Sequence, residues 1–323
     1  EAEDQDICLV NPGVLACGVT NNADGKPDTL QELALRISAL GGPAYDAVYD
    51  RDGADDRGIV SAFMYRTDRV ELLPASASDP VLGSSPTVSY RGAALTYNTD
   101  VQNPKAMNAD LPSDVNLSTG VDGSNVFTRP PQVGLFRIWQ DIVGSGTSLD
   151  VYALSNHFSS TPDARVGQRT EQALYDASIV AALQAVNPDV MIAIAGDFNV
   201  YPRPDDPFGL TPSDQLGPLY NQGLLNLFDV LVAEVPASAY SYIFQGQTQT
   251  LDQIFVTPSL MDELVQARAA HVNSDWPADY DGDGARGASD HDPLVARFCR
   301  DVSSPEVSIT LSTDTIWPPN HKY

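Results

Sequence analysis

The chain reads as a layered α/β domain. Apolar residues recur at helical spacing in two stretches, and short apolar runs of strand length lie between and after them. Hydrophobic residues make up 42% of the 323, ample for a packed core.

In chain order, Leu30, Leu33, Ala34, Ile37 and Leu40 line one face of a helix predicted over 27–40, with Pro27 in its first turn and Gly41-Gly42 stopping it. Ile59 to Tyr65 and Arg69 to Leu73 follow as two strands joined by a tight turn at Arg66-Thr67-Asp68. Pro74 to Pro131 is rich in Ser, Pro, Gly, Asn and Asp, so long loops are expected there and not a second core. Val133 to Trp139 and Ser148 to Ser155 read as another strand pair. A helix follows from about Asp163 to Val186, then a buried strand over Val190 to Ala195. Leu251 to Val256 and Leu294 to Phe298 are the last strands, and Asp275 to Ser289 is a Gly- and Asp-rich loop.

This order puts one domain over 1–300. After Ser303-Ser304-Pro305 the pattern changes to Val-Ser-Ile-Thr-Leu-Ser and then Trp317-Pro-Pro-Asn-His-Lys. Residues 301–323 therefore read as a linker and the truncated start of a β-rich, immunoglobulin-like module. Such modules occur in multidomain secreted bacterial proteins, and further β-rich domains of the same polypeptide are expected.

The formal charge of −25 and the pI near 4.1 argue against a partner held mainly by broad attraction to a polyanion. An acidic surface also serves plain solubility. No run approaches the roughly 20 apolar residues of a membrane-spanning helix, so no transmembrane segment is expected. The opening Glu-Ala-Glu-Asp lacks the basic-then-apolar order of a signal peptide, which places any export signal upstream of residue 1. Cys8, Cys17 and Cys299 fit either idle thiols or one short disulfide between Cys8 and Cys17 with a leftover.

Gly196-Asp197-Phe198-Asn199 comes directly after an apolar strand, where side chains emerge at the carboxyl end of a sheet. Alone, it would be a turn or a helix cap. A second signal, Ser289-Asp290-His291-Asp292-Pro293-Leu294, sits just before the last strand and sets a metal-ligand type beside a proton-transfer group. His157, one of only four histidines, lies at another strand end in Ser155-Asn156-His157-Phe158. Alone, it would be a structural histidine.

Together with Glu1-Ala-Glu-Asp, Phe63-Met-Tyr-Arg-Thr-Asp-Arg-Val, Ser241-Tyr-Ile-Phe and Leu251-Asp-Gln-Ile-Phe-Val, these motifs resemble, in order, the endonuclease/exonuclease/phosphatase superfamily. The likeness spans about residues 1 to 299 and is nearest the bacterial extracellular nucleases. It implies a four-layer α/β/β/α sandwich with two packed mixed β-sheets and a secreted or cell-surface location. The implied activity is metal-dependent phosphodiester hydrolysis, on DNA or RNA, by in-line attack of an activated water.

The resemblance also assigns roles. Glu1 and Asp290 would hold Mg2+ or Mn2+, with Glu3 as the substitute for Glu1. Asp197 would position or deprotonate the water, and Asn199 would bond the phosphate or orient that water. His157 and His291 would face the phosphate, and Asp252 would support the first of these histidines. Arg169, Tyr65 and Arg66 would touch substrate. Asp292 reads as a loop residue, and His271 has no motif support. In the resembling proteins a strand precedes the Gln-Glu segment, so the first strand is expected to be absent here.

Asp279, Asp281 and Asp283 have the alternate-Asp spacing of a calcium loop, but the twelfth position is Asp290, so a structural Ca2+ there competes with a solvated acidic loop. Two other functions fit the same residues: a phosphatase or sphingomyelinase-type phosphodiesterase, because a fold does not set the leaving group, and a non-catalytic secreted binding module.

Overall fold

The computed structural model describes residues 2–3, 8–11, 14–17, 28–54, 59–109, 126–160, 165–203, 213–276 and 289–299. Glu1, the calcium-loop candidates Asp279, Asp281 and Asp283, and the 301–323 module lie outside the described residues.

The predicted first helix is α1 (Asp28–Ala39). It ends where Gly41 takes a left-handed φ of 80° and Gly42 N–H donates to Ile37 O at 2.9 Å, a closure that glycine makes without a Cβ penalty. Before it, Cys8–Asn11 and Val14–Cys17 pair as a hairpin whose register sets Cys8 opposite Cys17. Cys299 is a free, exposed thiol.

The next strands are β1 (Tyr45–Val48), β2 (Phe63–Arg66) and β3 (Val70–Leu72). The turn expected between β2 and β3 forms, with Arg69 N donating to Arg66 O, but the two strands do not pair with each other. β2 pairs with β1, while β3 pairs with β5. β2 belongs to a two-stranded piece and β3 to the central sheet, so the turn here links two separate pieces of sheet.

β4 (Lys105–Ala106), β5 (Gln132–Trp139), β6 (Ser148–His157), β7 (Met191–Asp197), β8 (Leu225–Asn226) and β11 (Asp252–Val256) form the central sheet in the order β4-β5-β6-β7-β11-β8, with β3 also on β5. Between β8 and β11 lies a hairpin, β9 (Tyr242–Phe244) and β10 (Gln247–Gln249). A last antiparallel pair, β12 (Leu264–Ala269) and β13 (Leu294–Phe298), completes the strands used below. β6 and β7 run parallel and every other pairing in the central sheet is antiparallel, so the sheet is mixed. Among the described residues the strands outside it form separate two-stranded pieces, not one second sheet.

Alternation along the strands sorts side chains between two cores. Leu154, Ile192, Ile194 and Phe255 point to the face covered by α2 (Val166–Val186), meeting its Ile179, Val180 and Leu183. The loop residues Val81, Leu82, Val88 and Met107 join that core, so the 74–131 segment adds to it and builds no core of its own. Leu149, Val151 and Val256 point to the opposite face, against α4 (Leu227–Glu234), α5 (Pro258–Met261) and the β12–β13 pair. Each large apolar side chain so buried contributes about 1.5–3 kcal/mol, which holds the sheet from both sides.

α2 also buries a polar stripe, Gln168, Arg169, Gln172 and Asp176. Gln172 accepts from Ser159 N at 3.0 Å and Arg169 Nη1 donates to Ser159 O at 2.9 Å, so the helix grips the turn immediately after β6. Burial holds the Asp176 carboxyl well above the usual carboxylate range.

Gly196, in β7, has φ of 152°, and a Cβ there would meet Asn156 O at 2.0 Å and Asn156 C at 2.7 Å. Backbone cannot move aside as a side chain can. Gly196→Ala is therefore expected to spread β6 from β7 and to destabilise the protein by about 3 kcal/mol, the upper end for overpacking. Urea unfolding measures this, and an unchanged midpoint would refute the close approach.

Candidate active site

Sheet register builds the first part of the site. The parallel pairing of β6 and β7 sets His157 beside Asp197, and the antiparallel pairing of β7 and β11 sets Asp197 beside Asp252. Residues in register share a face, so the three form one row across the end of the sheet, on the face that carries Val151, Ala193 and Ile254 further along the same strands.

Asn199 is added by a local turn. Its φ is 51°, a left-handed conformation that Asn tolerates better than most residues. Its backbone N–H donates to Asp197 Oδ1 at 2.8 Å, and Nδ2 donates to Asp197 Oδ2 at 2.9 Å and Phe158 O at 3.2 Å, with His157 Nε2 3.4 Å away. Phe198 between them is fully buried, edge-on to Phe158 and Phe255, and anchors the turn from below.

His291 arrives from the far end of the chain through an isolated bridge to Tyr242 of β9, whose ring lies 4.6 Å from its own. Its Nδ1 donates to Asp252 Oδ2 at 2.6 Å. The resemblance assigns Asp252 to the first histidine; the structure gives it to His291 instead, while His157 Nε2 lies 3.6 Å from Asp197 Oδ2. The reason is geometric: in the sheet row Asp197 stands between His157 and Asp252.

Asp197, Asp252 and His291 offer ligand atoms that all lie within 4.8 Å of one another, the group suited to a metal ion among the described residues. Each side chain of the cluster is roughly a fifth exposed, so the site is walled yet open to a ligand. Burial, followed by the charge of Asp252, raises the Asp197 carboxyl above its ordinary range, against the opposing pull of His157, His291 and the Asn199 N–H. For His291, burial works downward, but the hydrogen bond it donates to Asp252 and the charges of Asp252, Asp197 and Asp290 prevail and raise it.

The other sequence-predicted residues are placed differently. Asp290 is exposed, next to the cluster, and acts on His291 and Tyr242 through its charge. Arg169 is fully buried and gives its guanidinium to Gln215 Oε1 at 2.7 Å and to the Ser159 and Ser160 carbonyls, so it braces the turn after β6 where substrate contact was expected. Tyr65 packs against Phe136, 5.7 Å between centroids, in an apolar cavity of about 510 Å3 lined also by Phe63, Val151 and Ala153. Arg66 pairs with Asp68 at 2.5–2.9 Å. Neither contact reaches the cluster. Tyr242, His271 and Asp292 are the residues sequence reasoning passed over. Tyr242 and Asp292 lie inside the quoted motifs without a role assigned to them, and the scarcity of histidine is the signal that marks His271.

No family model and no curated protein matches the chain. Solved structures are similar to it: an endonuclease/exonuclease/phosphatase from Bacteroides vulgatus at 17% identity, covering 82% of this chain and 79% of that one with a TM-score of 0.45. A Bacteroides thetaiotaomicron mannosyl-6-phosphatase is similar at 16% identity, 83% and 81% coverage and 0.44, and truncated Caenorhabditis elegans TDP2 at 14%, 83% and 80%, and 0.44. The chain resembles solved structures of the endonuclease/exonuclease/phosphatase family. The chemistry of the site rests on the residues above.

The raised His291 pKa has a sign. Its charged pairing with Asp252 adds stability that is fully present below pH 6.5 and is lost as pH rises through the folded-state value. Asp252→Asn removes the first of the raising causes, so His291 should titrate at lower pH, read from its imidazole NMR signals. Titration unmoved by the substitution would break the assignment of this pair.

Proposed function

We propose that the chain is a metal-dependent phosphodiester hydrolase, a secreted or cell-surface nuclease cleaving DNA or RNA by in-line attack of water. The observation that carries it is the meeting of Asp197, Asp252 and His291 with His157 and Asn199 at one sheet edge, two carboxylates and two imidazoles facing the same space. A phosphodiester is anionic and its transition state more so, and this chain brings few cations there. Carboxylate oxygens suit a hard divalent ion, and the side-by-side carboxylates of Asp197 and Asp252 gather negative charge that would draw one to this end of the sheet.

Glu1 and Asp290 are proposed to hold Mg2+ or Mn2+ beside this group. When bound, the ion would offset phosphoryl charge as a Lewis acid. The protein's own groups do the rest. Asp197, whose carboxyl burial and the charge of Asp252 push upward, orients and accepts a proton from the attacking water. Asn199 Nδ2 donates toward the phosphate. His291, held by Asp252 through Nδ1, presents Nε2, and its raised pKa favours the protonated ring that donates to a non-bridging oxygen or the leaving group. His157 stands on the other side of the row.

The charge of −25 favours a second reading, a phosphatase or sphingomyelinase-type phosphodiesterase, because a long polyanion is repelled where one small phosphoester is not.

Hydrolysis of plasmid DNA or RNA should vanish with chelator and return with Mg2+ or Mn2+. Asn199→Ala and His291→Ala should each lower kcat by about 10²–10⁴-fold. Chelator-resistant hydrolysis would overturn the mechanism, and turnover of sphingomyelin or inositol phosphates without nucleic acids would favour the second reading.

A further inference from the structure

Behind His291 lies a polar hub that the proposed chemistry does not use. Asp292 is 2% exposed, and its carboxylate is filled by donors from one loop. Asn273 N at 2.8 Å and Ser274 N at 3.2 Å donate to Oδ1, while His271 Nδ1 at 3.1 Å and the Ser274 hydroxyl donate to Oδ2. The far nitrogen of His271 meets Ser238 O at 3.0 Å, and its ring lies tilted against Tyr240, 4.2 Å between centroids.

The main chain around the hub is tied as well. Asp292 N donates to Ser241 O at 2.7 Å and Ala270 N to Pro293 O at 3.0 Å. Asn273 Nδ2 donates to His291 O at 2.9 Å, and Ser241 Oγ accepts from Asp252 N at 3.2 Å. Segment 270–275 thus closes on the buried Asp292 carboxylate, with Asn273 reaching the His291 carbonyl, while the main chain of Asp292 is tied to Ser241, whose hydroxyl accepts from Asp252 N.

We propose that Asp292 is a positioning residue: with His271 and Asn273 it sets the main chain at His291 so that the imidazole meets Asp252. A buried carboxylate must be compensated to be tolerated at all, and here the compensation comes from the loop that also grips the His291 carbonyl. Loop and histidine consequently move together. Displacing a reacting group by an ångström is enough to lose about 10²-fold in rate.

The catalytic readout rests on the hydrolase reading, so two measurements are paired. In the full chain, Asp292→Asn keeps the shape but sets an amide against donors, and Asn273→Ala removes only the bond to the His291 carbonyl. With bis(p-nitrophenyl) phosphate and Mg2+, both should lower kcat by roughly 10–100-fold with KM little changed. At fixed pH, the His291 imidazole signals of histidine-labelled protein should shift in both. Unmoved His291 signals, or an unaltered kcat in active protein, would overturn the proposal. If Asp292→Asn fails to fold, Asn273→Ala decides, since it leaves the carboxylate satisfied. If the unsubstituted protein hydrolyses nothing, the function is wrong while the NMR arm still judges the positioning.

Discussion

The register across β6, β7 and β11 is the constraint on which the site hangs. Strands stand about 4.8 Å apart, and neighbours in register point to one face, so His157, Asp197 and Asp252 are held at fixed spacing by the same backbone hydrogen bonds that hold the sheet. A slip of one residue would send the whole row to the opposite face. The slip is prevented by the cores: Leu154, Ile192, Ile194 and Phe255 would have to leave the α2 face, and Val151 and Val256 the other. Apolar burial thereby protects a polar arrangement that it does not touch. Gly196 lets β7 approach β6 closely enough for the row to form.

The row has an electrostatic cost. Two carboxylates side by side at a half-buried edge repel, and burial adds to the penalty, both visible in the rise at Asp197. The structure offsets this with histidines on either side and with two donors from Asn199, a turn residue whose left-handed backbone lets main chain and side chain address one carboxylate. His291 gains the complementary effect, a rise driven by the acids around it. The same charges that make the site costly tune its histidine.

Around this lies a supporting shell that looks, from residue types alone, like a substrate site. Arg169 is the clearest case. An arginine near His157 in sequence suits a phosphate, yet α2 carries it into the interior, where carbonyls of the 159–160 turn and Gln215 take its donors. Asp292 goes the other way: adjacent to an acid and a histidine of the site, it reads as an ordinary loop residue, and it proves to be a buried junction.

The sequence alone determined the elements whose signal is local. Helices α1 and α2 follow from 3.6-residue apolar spacing, β5 and β6 from apolar runs, and the strand-end placement of His157, Asp197 and His291 from motifs beside those strands. Short strands of mixed polarity, β1, β12 and the β9–β10 hairpin, left no such pattern, because hydrogen bonds to distant strands define them more than their own residues do. Only the tertiary structure decided which strands pair, that β2 and β3 part company, and that Asp252 serves His291 and not His157. Pairing and side-chain partnership are contacts between residues tens to hundreds of positions apart. Their energies depend on where the packed layers bring the backbone, which no local spacing encodes.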